Sequence, residues 1–286
     1  MIEVGGADRS AFLHNLLSND IASLAPRGSC RAALLTPTAK LIAELVVLSE
    51  ADRHWLLMPR VCLTSTLSGL NRYLITENVT LADRTEAWTL LGLQGPKTPE
   101  IVHELSTARL ADYSVTGDPG VIVMVSPHEV IATRNHLTAL GAAAVAWDAV
   151  HVCRIEAGVP WWGIDMDETT LLPETGLEQR LASFTKGCYV GQEIVARVDT
   201  YGSLSSKLMP LVCEGATVPE RGDEIRKDGQ PVGQITSACF SPSRNRSVAL
   251  GYVKRPFYQE DTAVQIGIRH VTAVVTARSG RTPAGG

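Results

Sequence analysis

The sequence has little of what would commit it to a specialised class. Only six of its 286 residues are cysteine (30, 62, 153, 188, 213 and 239), and no two are spaced as CxxC. That excludes a disulfide scaffold and leaves no thiolate cage for zinc or an iron–sulfur cluster, so reduced thiols and a cytoplasmic location are expected. The seven histidines form neither HxH nor HExxH, so no metal site is expected. Long apolar runs are missing. Stretches such as 121–125 and 142–147 fall far short of the ~18–20 residues that a membrane span needs, so no membrane partner is expected. Glu3, Asp8 and Arg9 interrupt the N-terminus, and no secretory signal is read there. There is no GxxxxGK[ST], no strand–GxGxxG–helix unit and no GxSxG elbow, which removes the common phosphate cradles and the hydrolase elbow. No run of five Lys or Arg occurs, so direct nucleic-acid binding is not expected.

What is present is ordinary for an ordered protein. Hydrophobic residues make up 45% and charged residues 20%, enough to exclude disorder. The length allows two or three domains. The net charge of −4 hides a split: residues 1–202 hold 15 Lys and Arg against 23 Asp and Glu, whereas 203–286 hold 11 against 7. The basic residues of the second part are scattered, which reads as compositional drift rather than as a binding face.

Hydrophobic periodicity divides the chain. A strand start at 2–4 is broken by Gly5-Gly6, and Ala11, Phe12, Leu16 and Leu17 recur at helical spacing over 7–18. Strands over 30–35 and 40–49 flank a hairpin turn at 36–39. The second of these is apolar on both faces except for Glu44, which marks an interior strand carrying a carboxylate that needs a partner. Strands at 54–58, 79–82, 89–93 and 120–125 alternate with helices at 61–74, 97–105 and 127–140, an order that suits a split βαβ, ferredoxin-like sandwich. A helix over 148–157 ends at Gly158, with Pro160 beyond it. Residues 161–206 read mostly as loop. Short strands at 207–213, 223–226, 230–237, 249–253, 262–268 and 270–277, punctuated by Gly, Pro and Asp, predict a small all-β barrel.

Two clusters could carry chemistry. Lys186-Gly187-Cys188-Tyr189-Val190-Gly191-Gln192-Glu193, with Arg197 beyond, brackets a thiol between glycines and places cations near it in sequence. Cationic neighbours favour a thiolate, although a free cysteine is as often simply buried. Glu156, in Arg154-Ile155-Glu156-Ala157-Gly158, stands at the unfavourable end of a helix for a carboxylate, as a ligand-binding residue or a solvated surface one would. Trp161-Trp162 could stack on a ligand or anchor a core. Arg197 could meet an anion or pair with Glu193 at i,i+4 spacing.

The block KGCYVGQE (186–193), followed by IVAR (194–197), resembles the signature of the YgfZ family of folate-binding proteins, relatives of the glycine-cleavage T-protein. VGGADRSAFLHNLLSNDI (4–21), LLTPTAKLIAEL (34–45), LLGLQGP (90–96), RIEAGVPWWGID (154–165), LLPE (171–174) and GQITSACFSPSRNRSVALGYV (233–253) follow the superfamily pattern in order. The resemblance implies an α+β, T-protein-like fold around a central folate cavity. Its expected parts are a discontinuous folate-binding domain (1–48 and 149–205), an inserted ferredoxin-like domain (49–148), a C-terminal β-barrel (206–280) and a disordered tail (281–286). It implies tetrahydrofolate, or another reduced folate, as cofactor. Glu156 falls at the pterin-binding glutamate, Glu44 at the catalytic aspartate of the T-protein hairpin, and Cys188 at the family cysteine. Trp162 and Arg197 are candidate folate contacts, and Lys186, Gly187, Tyr189, Gly191, Gln192 and Glu193 complete the motif. Two departures stand out. Ala39-Lys40 replaces Gly-Lys in the turn, and Glu44 is one methylene longer than aspartate, a shift to which reaction centres are sensitive. The resemblance implies a monomeric accessory protein for the assembly or repair of iron–sulfur client enzymes, acting on tRNA modification only indirectly. The alternative is a folate-dependent aminomethyltransferase-like enzyme.

Overall fold

The computed structural model describes residues 1–105, 108–201 and 204–278; the expected disordered tail, 281–286, lies outside them. In chain order the elements are β1 (Ile2–Gly5), α1 (Arg9–Leu16), β2 (Ser29–Leu35), β3 (Leu41–Ser49), β4 (His54–Leu57), α2 (Leu63–Asn71), β5 (Thr80–Asp83), β6 (Thr89–Gln94), α3 (Thr98–His103), β7 (Arg109–Asp112), β8 (Gly120–Val125), α4 (Val130–Ala139), α5 (Trp147–Glu156), α6 (Glu178–Leu181) and α7 (Gln192–Tyr201). Six strands follow: β9 (Ser206–Cys213), β10 (Glu224–Lys227), β11 (Gln230–Ser241), β12 (Arg246–Lys254), β13 (Ala263–Ile266) and β14 (Val271–Val275).

These build three sheets. An antiparallel five-stranded sheet has the order β2-β3-β4-β1-β5, a three-stranded sheet has the order β6-β8-β7, and a closed barrel runs β10-β11-β12-β9-β14-β13. One face of the five-stranded sheet packs under α1 and α2 through Phe12, Leu13, Leu45, Val47 and Leu70. Its other face meets the three-stranded sheet through Val46, Leu48, Trp55, Ala111 and Met124. The interior position expected for β3 follows from this arrangement, because both of its faces lie against apolar layers. The barrel is filled by Leu211, Ile225, Ile235, Val253, Ile266 and Val275, the inward-facing set of alternating strands.

The structure differs from the sequence expectation in four places. The sheet does not end at residue 48. The segments read as inserted strands, β4 and β5, join the first sheet, with Val46 opposite Leu57 and Ile2 opposite Asp83. The reason is burial: all four residues of β4 are buried, which suits a central strand between β3 and β1. The smaller unit is therefore β6-α3-β7-β8-α4, with three of the four strands of a ferredoxin-like sheet. Strand β7 had no sequence signal, being four residues of which only Ala111 is buried. The stretch read as loop contains α6 and α7, and β11 continues to Ser241.

Candidate functional site

A cavity of about 230 Å³ opens where the two sheets meet. Glu44, Leu45 and Val46 of β3, Leu57 at the end of β4 and Met58-Pro59 beyond it form one wall. Leu90, Ile122 and Tyr113 form the opposite wall, and Trp161 and Trp162 close it. Apolar and aromatic side chains with a single carboxylate suit a flat, mainly apolar ligand that offers N–H donors.

Glu44 is 6% exposed. Its Oε1 accepts a bond from Arg31 Nη2, whose side chain is equally withdrawn from water. The register explains the pairing: Ala33 stands opposite Glu44, and Arg31, two residues earlier on the same face, is its diagonal neighbour. The Arg31 guanidinium lies 5.1 Å from the centre of the Tyr113 ring. Burial pushes the Arg31 pKa down, but Glu44 and Tyr113 more than offset that, and it stands above its ordinary value. Burial, then the charge on Glu44, pushes the Tyr113 phenol up. Among the described residues no donor reaches Glu44 Oε2, which leaves that oxygen available to a ligand.

Trp161 is held by a buried charge network. Arg154 and Asp165 are both 0% exposed and pair at 2.7 Å. Arg154 Nη2 also donates to Ser237 Oγ at 2.8 Å and Nη1 to the Val159 carbonyl at 3.1 Å. Asp165 accepts from the Trp161 backbone N–H at 2.9 Å and from the hydroxyls of Thr236 (2.6 Å) and Ser237 (2.5 Å). Each buried charge is thus paired and hydrogen-bonded, the condition under which burial is tolerated. The network ties α5, the tryptophan loop and the barrel strand β11 together. Trp161 also meets Trp147 edge-on at 4.6 Å.

The KGCYVGQE block forms a separate constellation. Lys186 Nζ donates to three carbonyls at the end of α1, those of His14, Leu17 (2.6 Å) and Asn19 (3.0 Å). Its ammonium also lies 5.1 Å from the Tyr189 ring, and burial pushes its pKa down to about 8. The lysine is therefore a helix C-terminal clamp, and no bond joins it to Cys188. Tyr189 is buried against the β2–β3 hairpin with Ala39 and Leu41. Gly191 has φ +85°, and a methyl added there would stand 2.7 Å from the Thr36 carbonyl oxygen, so only glycine lets this segment reach the hairpin. Gly187 and Cys188 are exposed on the loop so anchored. Gln192 opens α7; Glu193 and Arg197 are exposed on it and form no ion pair with each other. Cys188 and Arg197 do not line the cavity. In the hairpin, Ala39 takes φ +59°, the left-handed conformation that glycine adopts without cost.

Glu156 also stands apart from the cavity. Its Oε1 accepts from Ser241 (2.5 Å) and Ser243 (2.8 Å), and its carbonyl accepts from Arg244 at 3.0 Å. The face of α5 that carries it looks toward the end of β11, so it joins the helix to the barrel. Of the expected site residues, the structure brings together Glu44 and Trp162. Arg31, Tyr113 and Trp161 are added around them. Arg31 was legible only as a basic residue two places before the partner of Glu44, a relation that needs the strand register. Among the described residues no group of three or more His, Cys, Asp and Glu is placed to hold a metal, and no helix is long and apolar enough to cross a membrane.

Comparison with known proteins agrees with the fold. The GCVT N-terminal domain model matches residues 1–116, and the glycine cleavage T-protein C-terminal barrel domain matches 207–282. A chloroplastic candidate transferase of Arabidopsis thaliana is 29% identical over 93% of this chain, which spans 66% of that protein's length. The aminomethyltransferase of Rubrobacter xylanophilus is 26% identical over 87% of the chain and 72% of its own length. The crystal structure of the glycine cleavage system aminomethyltransferase T from Bartonella henselae superposes with a TM-score of 0.83 at 21% identity, covering 96% of this chain and 82% of that one. The chain carries, in this order, the GCVT N-terminal domain and the glycine cleavage T-protein C-terminal barrel domain, and it shares the fold of the superposed structure.

Proposed function

We propose that the chain is a tetrahydrofolate-dependent transferase of one-carbon groups, with the pterin ring seated in the cavity between the two sheets. The cavity carries the reading. It has one flat aromatic closure, Trp161-Trp162, apolar walls, and one carboxylate with a free oxygen. At about 230 Å³ it is smaller than the ~300–1,000 Å³ of a typical ligand pocket, and it suits the bicyclic head of a folate with the tail left outside. Glu44 Oε2 would accept an N–H of the pterin and orient the ring, and the tryptophans would exclude water from it. Tetrahydrofolate, when bound, supplies the nitrogen that takes up the one-carbon group. The relatives named as aminomethyltransferases support this reading over a purely accessory role.

The test is a titration with tetrahydrofolate followed by tryptophan fluorescence, together with an aminomethyl-transfer assay. Saturable quenching is expected, weakened roughly tenfold or more by Glu44→Gln, with turnover lost in the same variant. Absence of saturable binding overturns the reading.

One observation favours a second reading, an accessory factor for iron–sulfur enzymes. Cys188 is exposed at the tip of a loop that Lys186 and Gly191 hold in place. On that reading Cys188→Ala lowers iron–sulfur enzyme activities in cells and leaves folate affinity intact. Unchanged activities remove it.

A further inference from the structure

We propose that Arg31 is a positioning residue of the cavity: it occupies one oxygen of Glu44 and so fixes the other as the acceptor presented to the pterin edge of the ligand. The inference rests on the folate reading above and names the group on which that reading depends. Four observations carry it. Arg31 and Glu44 are joined through a single oxygen, Nη2 to Oε1, with both side chains withdrawn from water. Glu44 lines the cavity whereas Arg31 does not, so the arginine reaches a ligand only through the carboxylate. The Tyr113 ring, itself part of the cavity wall, lies against the guanidinium. Arg31 Nε is buried without a partner, so the fork is not closed as a two-bond clamp on Glu44. A bidentate pair would have occupied both carboxylate oxygens. The single bond that forms leaves Oε2 for an N–H donor and makes the acceptor direction a property of Arg31.

Arg31 could instead be a cation that attracts the anionic tail of a folate. The two ideas differ in what they predict for a ligand without a tail. The experiment measures the binding of tetrahydrofolate and of 6-methyltetrahydropterin, which has no carboxylate, to the full chain by tryptophan fluorescence. The proteins are wild type, Arg31→Lys, Arg31→Gln, Glu44→Gln and the double variant Glu44→Gln/Arg31→Gln. Arg31→Gln is expected to weaken both ligands roughly tenfold or more, and Arg31→Lys to recover most of that loss. In the Glu44→Gln background, Arg31→Gln is expected to add nothing, the mark of two residues that act as one. The double variant leaves no unpaired buried charge, so it reports even if Arg31→Gln alone does not fold. Wild-type affinity for both ligands in Arg31→Gln, a loss confined to tetrahydrofolate, or additive losses in the double variant would each overturn the proposal. A wild-type protein that binds neither ligand would instead overturn the folate reading, and this inference with it.

Discussion

At the scale of single residues, the decisive facts concern charges placed where water does not reach. Glu44 is acceptable in the interior only because Arg31 stands on the diagonal of the neighbouring strand. Glu44→Leu should therefore cost roughly 3–5 kcal/mol by stranding Arg31, whereas Arg31→Met/Glu44→Leu should cost far less; urea unfolding of the two variants checks the difference. His54 gives a pH dependence. Its Nε2 shares a hydrogen bond with Ser10 Oγ at 2.7 Å, and burial, with Arg9 nearby, lowers its pKa from 6.5 to about 4. Between those values the unfolded chain binds the proton and the folded one does not, so the folded state gains stability as pH rises through this window and loses it as pH falls. Unfolding midpoints at pH 4 and pH 6.5 should separate more in wild type than in His54→Gln; an equal separation would remove the assignment.

At the scale of elements, the KGCYVGQE segment works as a strap. Lys186 closes the end of α1, Tyr189 enters the core beside the β2–β3 hairpin, and Gly191 touches that hairpin's turn. Gly191→Ala introduces a left-handed alanine, worth about 1–2 kcal/mol, and places a methyl against the Thr36 carbonyl. The expected outcome is a lower unfolding midpoint, read by thermal unfolding of the two proteins. Part of this was legible: two glycines around a cysteine announced a special backbone. The partner of Lys186 was not, because the carbonyls it meets lie about 170 residues earlier in the chain. Helix α7 went unread although Ile194, Val195 and Val198 recur at helical spacing, because Gly187 and Gly191 just before it read as loop punctuation.

At the scale of the whole molecule, the barrel and the sheet pair are joined through α5. Arg154 and Asp165 form the buried part of that joint, and Glu156 with Ser241 and Ser243 its wetter edge. Arg154→Met should cost roughly 3–5 kcal/mol, because it leaves Asp165 buried without its cation. It should also loosen the tryptophan loop, seen as a red shift in tryptophan emission. Glu156→Ala should cost about 1.5–3 kcal/mol, the worth of hydrogen bonds to a charged group, and should leave the affinity for 6-methyltetrahydropterin unchanged. A marked loss of that affinity would return Glu156 to the pterin site.

The sequence by itself determined the classes to which this protein does not belong, the α+β order with a terminal barrel, the interior strand with its lone carboxylate, and the resemblance to the T-protein superfamily. These are properties of local pattern, since periodicity, turn residues and motifs need only neighbours along the chain. Tertiary structure alone decided that β4 and β5 join the first sheet, that Lys186 serves α1 rather than the thiol, that Glu156 faces the barrel, and that Arg31 completes Glu44. Each of these is a contact between segments far apart in sequence, fixed by strand register and by the requirement that every buried charge find a partner.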